Sequence, residues 1–112
     1  MGNTIKLEKD KWESYFNEWD KKYREGAFGE KEVQIEIVDK ELGDQVETFW
    51  QPLIGLSYDP KDNDFEVVAE KHDHIIHNPV EVYVEEGENG DLLAIEVVQE
   101  TGMKHIVLFR NK

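Results

Sequence analysis

From Val80 to Val98 the chain alternates apolar and polar residues on both sides of an acidic loop, and no other feature narrows its fold as much. Val80, Val82 and Val84 alternate with Glu81, Tyr83 and Glu85. Leu93, Ile95 and Val97 keep the same rhythm beyond Glu85-Glu86-Gly87-Glu88-Asn89-Gly90-Asp91. Side chains on a strand point to opposite faces in turn, so this period of two predicts a half-buried antiparallel hairpin over residues 79–85 and 92–99. Two strands cannot cover their own apolar face. The rest of the chain must supply further strands or a helix, which points to an α+β domain.

The period changes once. Trp12, Tyr15, Phe16, Trp19 and Tyr23 recur at helical spacing on one face, while Lys11, Glu13, Glu18, Lys21 and Lys22 look outward. A helix over residues 10–24 is predicted, with Asp10 and Glu13 at capping-box spacing and Gly26 as the stop. Its aromatic face suits a wedge against a curved sheet better than a stacking platform for bases. Strand signals recur over residues 32–38, 45–51, 53–58, 64–70 and 103–110. Pro52 has no backbone N–H and belongs at an edge, a bulge or a strand end, and Gly55 marks a bulge or bend. The bent segment from Trp50 to Leu56 is the expected free edge, where a second copy could extend the sheet into a homodimer. Asp59-Pro60-Lys61-Asp62-Asn63-Asp64 reads as a turn and not a calcium loop: its sixth position is not Gly, and Phe65, Val67 and Ala69 alternate as a strand directly after it. The run from Ile106 to Phe109 is expected to be buried on both faces, one toward the sheet core and one toward the helix. The predicted architecture is one helix followed by five or six antiparallel strands in meander order, as a curved sheet or small barrel.

At 112 residues the chain is one domain. Its 26 acidic and 13 basic residues give a net charge of −13, spread along the whole sequence, so phosphate backbones and anionic membranes are excluded as partners. The absence of cysteine removes disulfides, thiolate metal sites and a Cys nucleophile. The first ten residues, Met1 to Asp10, carry no apolar run of signal-peptide length, and no stretch approaches the roughly 20 apolar residues of a membrane span, so a cytoplasmic location is expected.

Two groups of residues are candidates for binding. His72 and His74 would share a side of one strand, a workable spacing for two imidazoles on a metal, with His77 joining through a bend and Asp73 or His105 available as a further ligand. Trp50, Tyr83 and the acidic residues Glu85, Glu86, Glu88 and Asp91 are the candidate contacts for a protein partner. No nucleophile or second carboxylate is tied to the histidines by a motif, so no catalytic residue is assigned and no cofactor is expected.

Trp12 and Phe16 in the helix, Leu42-Gly43 with Gln45-Val46-Glu47, Pro52-Leu53-Ile54-Gly55-Leu56 before Asp59, His74-Ile75-Ile76 with Pro79 and Val82, Leu93-Ala94-Ile95-Glu96-Val97 and Leu108-Phe109-Arg110 together resemble a family of small uncharacterised bacterial proteins that carries only a domain-of-unknown-function label. The resemblance runs from Trp12 to Arg110 and implies a shared fold; it brings no catalytic residues, and extra residues between Tyr23 and Val33 depart from its pattern. The expected function is a non-enzymatic protein-interaction or accessory module. The alternative is a small-ligand or metal-binding domain centred on His72, His74 and His77, and a third reading is an acidic mimic that fills a nucleic-acid-binding groove.

Overall fold

A computed structural model of the chain describes residues 3–41 and 43–112; Leu42, one of the residues carrying the resemblance, and Met1 and Gly2 lie outside the described residues. The strands are β1 (Asn3–Leu7), β2 (Lys31–Asp39), β3 (Gly43–Asp59), β4 (Asp64–Ala69), β5 (Asp73–His77), β6 (Pro79–Glu86), β7 (Leu92–Gln99) and β8 (Lys104–Asn111), with helix α1 (Trp12–Arg24) between the first two. They form one antiparallel sheet in the order β1-β6-β7-β8-β2-β3-β4-β5, curved around the helix and not closed into a barrel. The α+β class and the single N-terminal helix hold. Eight strands replace the five or six expected. Meander order holds from β2 to β5 and from β6 to β8, and the two runs join where β8 pairs with β2. Among the described residues no helix is long and apolar enough to cross a membrane.

The central hairpin forms as its alternation requires, with two local exceptions. Register shifts fall between Pro79 and Glu81 and between Glu85 and Glu86. Each bulge turns one residue over: Val80 and Leu93 are exposed, while Val82, Val84, Ile95 and Val97 stay buried and Leu92 takes the place expected of Leu93. In β8, His105, Val107 and Phe109 face inward, but Ile106 and Leu108 are only half-buried on the outer face. The expectation that this run is covered on both sides fails because the helix packs only on the inner face.

β3 is a single strand of 17 residues with two sets of partners. From Gly43 to Pro52 it pairs with β2, and from Leu53 to Asp59 with β4 on its other edge. Pro52 sits at this exchange, where its missing N–H removes no bond that either neighbour needs. Beyond Pro52 the β2 side of the strand would be bare. The helix supplies its partners there: the Tyr23 hydroxyl donates to the Leu53 carbonyl at 2.8 Å, and an Asp20 carboxylate oxygen accepts the Leu56 N–H at 2.8 Å. The approach is close because a register shift places Gly55 under the helix, where a Cβ would clash with the Arg24 guanidinium and stand 2.6 Å from Asp20 Oδ1. The expected free edge from Trp50 to Leu56 is therefore occupied for its second half, by β4 on one side and α1 on the other.

The stripe on α1 is the wedge of the core. Trp12, Phe16 and Trp19 are buried, and each meets an aromatic ring from a different strand: Tyr58 of β3 at 5.2 Å, Phe65 of β4 at 4.8 Å and Phe109 of β8 at 5.7 Å between centroids. These edge-to-face contacts add to the burial itself. The Trp12 indole N–H donates to the Leu7 carbonyl at 3.0 Å and ties the helix start to β1. The capping box does not form. A 3-10 turn over Lys9–Lys11 leads into the helix, and the N-cap Lys11 makes no side-chain capping bond. The stop is as expected: Gly26 has φ +89°, its N–H donates to the Tyr23 carbonyl and that of Ala27 to Lys22, the pair of bonds that satisfies a helix C-terminus.

Two substitutions test this arrangement. Phe16→Ala should lose about 3–5 kcal/mol of unfolding free energy in urea titration, as a fully buried aromatic does. Gly55→Ala removes no contact, yet it should cost about 1–3 kcal/mol by pushing Asp20 off the Leu56 N–H; a neutral result would mean that Asp20 and Arg24 move aside without losing that bond.

Candidate functional site

Two acids of the stretch from Glu85 to Asp91, Glu86 and Asp91, are engaged in holding the fold. Lys31 is 3% exposed, and its ammonium donates to Asp91 Oδ2 at 2.8 Å and Asn111 Oδ1 at 2.7 Å, pinning the loop to the start of β2 and the end of β8. Tyr15 of α1 donates its hydroxyl to Glu86, and burial together with that carboxylate pushes the phenol pKa up. Tyr83 donates to Glu81 at 2.8 Å; this bond, then Lys6, lowers the Glu81 carboxyl below its ordinary range. Glu85 lies on β6 between Thr4 and Ala94, and Glu88 is exposed in a 3-10 turn. Trp50 is on β3, four strands along the sheet from Tyr83 on β6, with the Arg110 guanidinium 4.3 Å from its ring centroid. The structure does not bring Trp50 and Tyr83 into one surface.

The histidines divide between two faces. β5 alternates as a strand, so His74 points inward at 7% exposure and His77 outward, where its Nδ1 lies 2.7 Å from Asp64 Oδ1. His72 stays beside His74, with 5.9 Å between ring centroids, and its Nε2 is buried without a hydrogen-bond partner. The inward partner of His74 is His105 of β8, His74 Nε2 to His105 Nδ1 being 2.8 Å. The proton order follows from Gln99. Its amide nitrogen donates to the His77 carbonyl at 2.9 Å, which aims its oxygen at His105 Nε2, 2.7 Å away. His105 thus donates through Nε2, and in the neutral ring its Nδ1 accepts from His74 Nε2–H. Burial, and then His74, lowers the His105 pKa from its ordinary 6.5 to about 4. Among the described residues no group of three or more His, Asp or Glu side chains is arranged to hold a metal ion.

Surface hollows are small. One between α1 and the β6–β7 loop measures about 160 Å³, and one at the β2–β3 and β7–β8 turns about 350 Å³. Ligand pockets usually run from about 300 to 1,000 Å³ with converging polar groups. The larger hollow, lined by Asp39, Lys40, Glu41 and the Thr101–Met103 turn, reaches only the bottom of that range.

The strongest surface feature is one that periodicity concealed. The first half of β3 pairs with β2 on one edge, and among the described residues no strand pairs with its other edge from Gly43 to Gln51. Register shifts between Val33 and Ile35 and between Ile35 and Glu36 bulge this half of β3 twice. There Phe49 is 72% exposed and Val46 42%. In a regular strand Phe49 would share a face with alternate neighbours; the bulges re-aim it, which is why alternation did not single it out.

Residues 3–112 match the family described as a family of unknown function, DUF5335. The chain belongs to that family. An uncharacterised protein of Aquifex aeolicus (strain VF5) is 49% identical to it over 105 residues, covering 93% of this chain and 89% of that protein. No solved structure matches the chain. The expected membership in a family of unknown function thus holds, and the DUF5335 description names no activity.

In this DUF5335 chain, the engaged and the free acids of one loop should separate by mutation. Asp91→Ala leaves a buried ammonium with only Asn111, and should cost about 2–3 kcal/mol, somewhat under the roughly 3–5 of a wholly buried pair. Glu88→Ala should stay within about 0.5 kcal/mol of the parent. Equal effects in urea titration would contradict a structural role for Asp91.

Proposed function

We propose that this DUF5335 chain is a non-enzymatic, cytoplasmic protein-interaction module that docks another protein on the first half of β3. The observation that supports this reading best is Phe49, an aromatic ring left 72% exposed on a strand edge that no other strand among the described residues pairs with. Large aromatics that a partner can bury fully are the residues that most often carry binding energy. Val46 stands on the same bulged half-strand, and Trp50 adjoins Phe49 in sequence. The two bulges break the regular ladder that another copy's strand would need, so side-chain docking is favoured over extension of the sheet. A net charge of −13 on each copy also opposes self-association and favours a partner of different charge.

A photo-crosslinking residue placed at Phe49 tests the proposal in lysate of the source organism, with the same residue at Tyr83 as control. The expected result is a discrete adduct with a different protein from position 49 and none from position 83. Adducts only with a second copy, or equal labelling from both positions, would overturn it.

A further inference from the structure

β5 is the last strand of the sheet order and β8 is the fourth strand along from it, yet His74 and His105 meet at 2.8 Å across the concave side. Gln99 Nε2 also bonds the His77 carbonyl at the end of β5, and the Glu100 N–H donates at 3.3 Å to the carbonyl of Asn78, the single residue that joins β5 to β6. We propose that the His74–His105 contact is an acid-sensitive strut that holds edge strand β5 against β7 and β8, so that proton uptake releases β5 while the β7–β8 ladder stays paired.

The chemistry of the contact sets the limit. A neutral pair needs one donor and one acceptor, which the Gln99 amide fixes as His74 Nε2–H and His105 Nδ1. One added proton can be shared between the two rings. Two would face N–H against N–H and charge against charge in a buried site. The rings are surrounded by His72 from the β4–β5 connection, Gln99 and Val97 of β7, Val67 of β4 and Ile37 of β2, while Asp73, and His77 with its partner Asp64, lie on the outer side. The direction of the effect follows from linkage. The unfolded chain takes up the His105 proton near 6.5 and the folded chain near 4, so below 6.5 protons favour any state in which that ring is released. The contact is intact at neutral pH and weakens as pH falls through this window.

Amide hydrogen exchange measured by NMR, corrected for its intrinsic pH dependence, reads this directly. The Glu100 amide reports the bond to Asn78, the residue that joins β5 to β6, and the Val97 and Val107 amides report the β7–β8 ladder. Between pH 6.5 and 4.5 Glu100 protection should fall, by up to about tenfold per pH unit for a single linked proton, while Val97 and Val107 hold. A His74→Gln/His105→Gln variant, which cannot titrate there, should show a flat Glu100 response. Constant Glu100 protection in the parent, an equal loss in the variant, or a joint loss at Val97 and Val107 would overturn the proposal. If the variant does not fold, the imidazole C–H shifts of the parent decide: a shared midpoint with Glu100 supports the strut, and release at a pH where neither ring titrates overturns it.

Discussion

At Pro52 the chain has no backbone N–H to give, and there β3 leaves β2 and takes up β4. A strand that changes partners exposes two half-edges, one before the exchange and one after it. The second would leave buried polar backbone unpaired at a cost of about 1–3 kcal/mol for each group. Tyr23 and Asp20 remove that cost by bonding Leu53 and Leu56, and Gly55 leaves open the space that the Asp20 carboxylate and the Arg24 guanidinium occupy. The position of α1 is thus set by polar bonds to β3 as well as by its aromatic stripe. Once it is held there, Trp12, Phe16 and Trp19 reach β3, β4 and β8 and close the core from the open side of the sheet.

The first half-edge has no such cover, and this asymmetry gives the molecule its most distinctive surface. Bare strand edges are aggregation hazards, and bulges are one way of blunting them. Here the two bulges in the β2–β3 pair blunt the edge and at the same time turn Phe49 outward. Charge plays a parallel double role. The net −13 keeps copies apart, yet Asp91, Glu86 and Asp20 are bonded to Lys31, Tyr15 and the β3 backbone. Part of the acidity is therefore structural.

The α+β class, the helix and the central hairpin were legible because each rests on an unbroken period. What was hidden has a physical cause in each case. Val80 and Leu93 were placed on the wrong face because a bulge adds one residue that sequence spacing does not announce. β1 was missed because four of its five residues are exposed, and β5 because its inward residues include a histidine. Asp10 has cap chemistry, but the chain enters the helix through a 3-10 turn that leaves it unused. His72 and His74 do lie together, but their nearest inward partner, His105, comes from β8, 31 residues beyond His74, and His77 departs to the outer face by simple strand alternation. Lys31 gave no signal at all, since nothing in its neighbours shows that Asp91 and Asn111 converge on it.

The account turns on the helix serving as the missing neighbour of β3 beyond Pro52. Residue-resolved hydrogen exchange on the parent and on Asp20→Ala tests it most directly. The Leu56 amide should be protected in the parent and lose about ten- to a hundredfold of that protection in the variant, the worth of a bond to a charged acceptor, with the Val33 and Ile35 amides of β2 unchanged. A Leu56 amide equally protected in both proteins would contradict the account, because the strand would then have a partner other than the helix.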